Sequence, residues 1–338
     1  MTDERSFQWF TPTKRRASIY EDVTMDTQPS VHRFLERGWQ MCFDDGAPTW
    51  SDDSTALKST SWFDFRDPGE QWERPFYQRG AGSERQIEGA VKGAADDGLF
   101  ADFDADWIAF LRNHLQVPAF IDHGIWLPTA IAARACLSDS ITHCVAIEAS
   151  MKQRSAQALV LYAMDLEPHL GEFPIESCRK SWLEHEAWQP SRAYIEKLGT
   201  ITDWGELIVA ANACFEPAVG MLVRRELGMR AASANGDTVT PVIFRAAAQE
   251  SQWIKEWTGE LMRFAAADEQ NGAANKELIA GWAADWLPQA EEAARAIAPI
   301  AAELPKAIDF DAAVTAGIGE ARAVFEEAGV ALPQAVGA

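Results

Sequence analysis

"FAAADEQNGAANKEL", residues 264–278, lies in the middle of what reads as one very long helix. Asp268 and Glu269 are followed by Gly272 and a polar Asn275. A Glu on the inner face of a helix bundle is how a carboxylate metal site begins, and its usual completion is a His three residues later. The residue three after Glu269 is Gly272. A complete site, an emptied one and a coincidence imply different molecules, and the rest of the chain separates them.

Outward from that stretch, the pattern is helical from about residue 84 nearly to the end. Trp107, Phe110, Leu111, His114 and Leu115 mark one face at i, i+3, i+4, i+7 and i+8. Ser138 or Asp139 is placed to cap a helix running to about Leu166, which Pro168 should stop. Asp203 with Glu206 forms a capping-box variant. The helix it opens runs to Asn235-Gly236, a strong stop signal. Thr240-Pro241 then starts another by the cap and first-turn proline rule, with no further proline until Pro288. Residues 204–234 would span about 46 Å at 1.5 Å per residue.

The short turn at 235–237 joins these two helices into an antiparallel hairpin, and 104–134 with 139–166 makes a second. Two long hairpins give an all-α, ferritin-like long-helix bundle, and no strand pattern competes. Pro217, inside the third core helix, predicts a kink or π-bulge beside Glu216. Glu216 itself stands among Phe215, Val219, Leu222 and Val223, so it is either buried and paired or turned to solvent.

Residues 1–83 read as an extended N-terminal arm, 84–288 as the bundle and 289–338 as C-terminal helices and tail. The arm carries turn signals such as Asp67-Pro68-Gly69 and no sustained helical period. Of the 14 tryptophans, Trp9, Trp39, Trp50, Trp62 and Trp72 fall in it. Aromatics on a segment that cannot build its own core predict that it packs against something else, so Trp9, Phe10, Tyr20, Trp39, Trp62, Phe65 and Trp72 are candidate partner contacts.

Composition narrows the function classes. The chain has 338 residues and 51 acidic against 30 basic side chains, a formal charge of −21. A field of that sign repels nucleic acid and anionic membranes. No apolar run approaches the ~20 residues of a membrane span. The start, "MTDERSFQWF", lacks the features of a signal peptide, which makes the cytoplasm the expected location. Five scattered cysteines without a C-x-x-C argue against a disulfide framework or a structural zinc site.

A di-iron carboxylate bundle needs Glu-x-x-His twice, because residues three apart present both ligands to one face. The residues three before His32, His114, His123, His143, His169 and His185 are Pro29, Leu111, Phe120, Ser140, Leu166 and Trp182. None is acidic. Dinucleotide-binding, phosphate-cradling and nucleophile-elbow glycine motifs are also missing.

Four stretches carry a resemblance: "FTPTKRRASIYEDVTMDTQP", "WFDFRDPGEQWERPFYQRG", "DWGELIVAANACFEPAVG" and "ADEQNGAANKEL". Together they resemble the small (β) subunit of soluble di-iron monooxygenase hydroxylases, nearest the alkene and propane monooxygenase type. The resemblance covers nearly the whole chain. It implies a ribonucleotide-reductase-like bundle without a metal site, whose arm wraps a large (α) subunit that bears the di-iron centre. It further implies an α2β2 assembly, a small coupling protein, and a reductase that supplies NADH electrons through FAD and an iron–sulfur cluster. The chain itself would be non-catalytic and hold no cofactor.

The same resemblance suggests where an emptied site would lie. Glu269 and Gly272 take the places of one ligand pair, Lys152 and Ser155 those of the other, and Glu216 that of a single Glu. Carboxylates left facing each other in a core need compensation. The Lys152 ammonium is therefore expected to pair with Glu216, Glu269 or Glu148. Two alternatives remain beside this: a self-sufficient oxidase with an atypical carboxylate site, and a helical scaffold unrelated to oxygenases.

Overall fold

The structure, a computed structural model, describes residue 7, residues 10–25 and residues 51–332. Among the described residues there are helices and no strands. Two short or medium helices precede the bundle: α1 (Ile19–Thr24) and α2 (Glu73–Asp96). Then come α3 (Ala105–His114), α4 (Val117–Ala132), α5 (Asp139–Leu170), α6 (Ile175–Glu184) and α7 (Gln189–Leu198). The long α8 (Trp204–Ala234) and α9 (Thr240–Ala266) follow. The chain ends with α10 (Gly272–Ala296), α11 (Ala298–Ala302) and α12 (Phe310–Glu327).

The four central helices are α4, α5, α8 and α9. The hairpin α4–α5 packs through its long common face, α9 lies along both α5 and α8, and α10 and α12 cover the other side of α8. Helix starts follow side-chain chemistry. Ser18 and Glu21 form a reciprocal capping box at α1, Ser138 caps α5, and Asp203 accepts from the Gly205 and Glu206 amides to open α8. Glu206 does not complete a box at α8. Its carboxylate instead accepts a bond from Trp286 Nε1 at 2.9 Å, tying α8 to α10.

Four boundaries differ from expectation. The stretch 264–278 is not continuous helix: α9 ends at Ala266 and α10 begins at Gly272. Asp268 makes the break, its carboxylate accepting from the amides of Gln270 and Asn271, an Asx-type turn that competes with helix. Second, 104–134 divides into α3 and α4 at Leu115–Gln116, with Pro118 in the first turn of α4, where a missing N–H costs nothing. Third, α2 starts ten residues ahead of the expected end of the arm. Its glycines and Pro75 suggest loop, but Pro75 sits in the first turn and is compatible with a helix. Pro168 likewise fails to stop α5, which continues to Leu170.

Helix α8 is wound as a π-helix over Val209–Gly220 and again over Leu222–Arg230. The Met221 amide donates to the Glu216 carbonyl and the Ala231 amide to the Glu226 carbonyl, each five residues back. The predicted disturbance at Pro217 is thus spread over two long segments. α8 is also long and apolar enough to cross a membrane, contrary to the composition-based expectation, but 89% of its apolar window is buried inside the bundle. It is a core helix.

Candidate functional site

At the centre of the bundle, four oppositely charged side chains from three helices meet. Asp122 comes from α4, Lys152 from α5, and Glu216 and Arg224 from α8; each is 4% exposed or less. Lys152 Nζ lies 2.9 Å from Glu216 Oε2 and 3.4 Å from Asp122 Oδ1. Arg224 spans the same two acids, with Nη2 2.7 Å from Asp122 Oδ1 and Nη1 bonded to Glu216 Oε1. Two hydroxyls complete the set: Ser155 Oγ donates to Asp122 Oδ2 and Ser251 Oγ, from α9, to Glu216 Oε1, both at 2.7 Å.

The cluster therefore balances two carboxylates with two cations and satisfies its oxygens with hydroxyl donors, the condition under which buried charge is tolerated. Burial pushes the Glu216 carboxyl up, but Arg224 first and Lys152 second overcome it and hold the group at about 2. Arg224 is desolvated too, yet Asp122 and Glu216 raise its pKa above the usual guanidinium value.

Glu148, one turn before Lys152 on α5, is fully buried and differently placed. Its Oε2 accepts from Asn212 Nδ2 at 2.8 Å, while Oε1 has no partner in the structure. Burial drives its pKa up to about 7, with Lys152 and Asn212 offsetting part of the effect. Lys152 thus bonds to Glu216 rather than to Glu148, although both carboxylates are within its electrostatic reach.

Of the expected site residues, Lys152, Ser155 and Glu216 come together. Glu269 and Gly272 do not join them. Glu269 is exposed in the turn between α9 and α10, and a side chain at Gly272 would meet the Ala266 carbonyl oxygen at 2.6 Å. The fourth wall of the cluster is α9 itself, which presents Ala247, Glu250, Ser251 and Ile254 beside Lys152 and Arg224. Glu250 turns aside to pair with Arg154. Asp122 and Arg224 were missed by sequence reasoning. Asp122 had a signal: it is the one charged residue of α4, the only acid in sixteen mostly apolar positions.

The residues fit poorly to a di-iron cage. The cluster offers no imidazole, and an ammonium and a guanidinium stand between its two carboxylates. Among the described residues no group of three or more His, Cys, Asp or Glu is arranged to hold an ion.

The stretch 264–278 has another role. Asn275 accepts from the Lys58 amide at 3.1 Å and donates to the Lys58 and Ala265 carbonyls at 2.8 Å. Asp268 accepts from the Thr60 amide at 2.6 Å. It is where the arm is tied to the bundle.

The arm's aromatics are tied down as well. Phe10, Tyr20 and Phe65 are buried within this chain, and Tyr20 Oη accepts from the Asp67 amide at 3.1 Å. Trp62 packs edge-on to Trp204 at 5.6 Å and Trp72 is half-buried at the start of α2. These contacts anchor the arm to its own chain, so the expectation that its aromatics face a partner is corrected for the buried three. Trp9 and Trp39 lie outside the described residues.

Residues 39–269 match the family model described as methane/phenol/alkene hydroxylase. The chain belongs to that family. It is 34% identical over 332 residues to the propane 2-monooxygenase hydroxylase component small subunit of Rhodococcus jostii (strain RHA1), covering 98% of this chain and 90% of the relative. The same subunit of Mycolicibacterium goodii is 35% identical with the same coverage. A solved structure, xenon-pressurised phenol hydroxylase from Pseudomonas sp. OX1, superposes with a TM-score of 0.77 at 18% identity over 95% of this chain and 92% of that one. The chain is a hydroxylase small subunit of a soluble monooxygenase, and the reading as an unrelated scaffold is set aside.

Proposed function

We propose that this small subunit is the non-catalytic, metal-free partner of an iron-bearing large subunit in a cytoplasmic α2β2 hydroxylase that oxidises a short-chain alkane or alkene, propane being the first candidate. A coupling protein and an NADH-dependent reductase with FAD and an iron–sulfur cluster complete the system in this reading. What supports it is the cation pair Lys152 and Arg224 seated between Asp122 and Glu216, together with the likeness to propane 2-monooxygenase small subunits. Lys152, Ser155 and Glu216 are, in this reading, positions of an emptied site, with Asp122 and Arg224 added to them. The bundle keeps the shape of an oxygen-activating core and fills its centre with salt bridges.

The work of such a subunit is mechanical. Its rigid core presents helices to the large subunit and fixes the geometry of the pair. A self-sufficient oxidase is not favoured, because the central cluster offers no imidazole. Co-expression with the large subunit of the same operon tests the proposal: a stable complex with propane-oxidising activity that depends on this chain is expected. Full activity from the large subunit, coupling protein and reductase alone would overturn it.

A further inference from the structure

The arm's buried anchors leave open which surface meets the large subunit. α4 is the most apolar of the long helices, and its only charged side chain, Asp122, points inward. Yet His123, Leu127, Ala130 and Ile131 face solvent along one side, with Leu127 51% and Ile131 59% exposed. The antiparallel neighbour α5 adds a second stripe, Ala146, Ser150, Gln157, Leu161 and Met164, whose spacing of 4, 7, 4 and 3 residues keeps one helix face. Leu161 is 60% and Met164 59% exposed. Four of the seven large apolar side chains that the described residues expose thus lie on this one hairpin. Neither stripe carries an acid, a lysine or an arginine, on a chain in which 24% of residues are charged, although exposed Asp165 and Glu167 stand at the end of the α5 stripe.

We infer that the outer face of the α4–α5 hairpin is the surface on which the iron-bearing large subunit docks. The inference rests on the proposed pairing with that subunit. A largely apolar outer face on so charged a chain is the mark of a permanent interface rather than of a transient one. Charge argues against a second copy as occupant: two chains would bring −21 against −21 across a face with no countercharge. The hairpin is also braced from within, since Asp122, Lys152 and Ser155 tie the inner sides of the same two helices together.

The test co-expresses a tagged large subunit with the native chain, with Leu127→Glu/Ile131→Glu, with Leu161→Glu/Met164→Glu, and with Lys276→Glu as an exposed control on α10. The native chain and the control should co-purify equally, and each double variant should fall at least tenfold while keeping its far-UV helical signal. Hydroxyl-radical footprinting of the native chain needs no variant: oxidation of Met164 should drop at least fivefold on binding the large subunit. Double variants that co-purify like the native chain, or unchanged oxidation of Met164, would overturn the inference, as would a native homodimer that the double variants abolish. If the native chain itself brings down no large subunit, the proposed function fails first, a different result.

Discussion

Arg224 and Glu216 lie eight residues apart on α8, and their side chains meet above Gly220. In a regular α-helix eight residues cover about 12 Å. Both residues lie in the π-wound part of α8, and the clasp closes across it. Any side chain at Gly220 would intrude, since a Cβ there would lie 2.6 Å from Glu216 Oε2 and 2.8 Å from Arg224 Nη1. Gly220→Ala is therefore expected to cost about 1–3 kcal/mol by displacing a buried ion pair. Urea unfolding of the purified complex measures it; a variant as stable as the native chain would show that the clasp yields freely.

Gly317 makes the corresponding approach from outside. α12 crosses α8 there, and a Cβ at Gly317 would sit 2.9 Å from the Pro217 carbonyl oxygen and 3.3 Å from that of Ala218. Backbone cannot move aside as a flexible side chain can. Gly317→Ala should lower the thermal midpoint more than Gly319→Ala, a neighbouring site with open space. Equal midpoints for the two variants would contradict the close packing.

The cluster separates breaking charge from replacing it. Lys152→Met leaves Asp122 and Glu216 sharing one guanidinium and is expected to cost about 3–5 kcal/mol. Removing all four charges together with apolar residues of similar volume should cost much less. If the single variant were harmless and the fourfold one ruinous, the cluster would not be the balanced unit its distances indicate.

Two buried acids titrate in opposite senses. Folding lowers the Glu216 pKa from 4.5 to about 2, so its stabilisation is complete above pH 4.5 and drains away as pH falls towards 2. Folding raises that of Glu148 from 4.5 to about 7, so its contribution is complete below pH 4.5 and is lost as pH rises through 7. Glu148→Gln should thus flatten the decline in stability between pH 5 and 8, gaining on the order of 1–3 kcal/mol at pH 8 relative to pH 5. Parallel stability–pH curves for the native chain and the variant would refute the assignment.

Much of this was legible in the sequence, for reasons that lie in particular residues. The all-helical bundle follows from the 3.6-residue period and from stops such as Asn235-Gly236, which the structure closes with Gly236 at φ 80°. The missing Glu-x-x-His could be read in full because only six histidines had to be checked. Glu216 stood out as an acid among Phe215, Val219, Leu222 and Val223, whereas Lys152 was singled out only through the family resemblance. Arg224 was missed, since it stands beside a second arginine, Arg225, and no period separates the buried one from the one that pairs with Glu226 and Glu320. Glu269 was misplaced because Asp268, rather than a glycine or proline, ends α9 through side-chain bonds that no period reveals. The arm's aromatics signalled packing correctly, but not onto which surface: Tyr20 and Phe65 need the folded bundle beside them to show that their partner is their own chain.

The most direct measurement is metal analysis of the two chains of the native hydroxylase after their separation. Iron confined to the large subunit, with fewer than one tenth of an atom per small subunit, is the predicted result. One or two tightly held iron atoms per small subunit, lost on Glu216→Ala, would contradict the account at its centre.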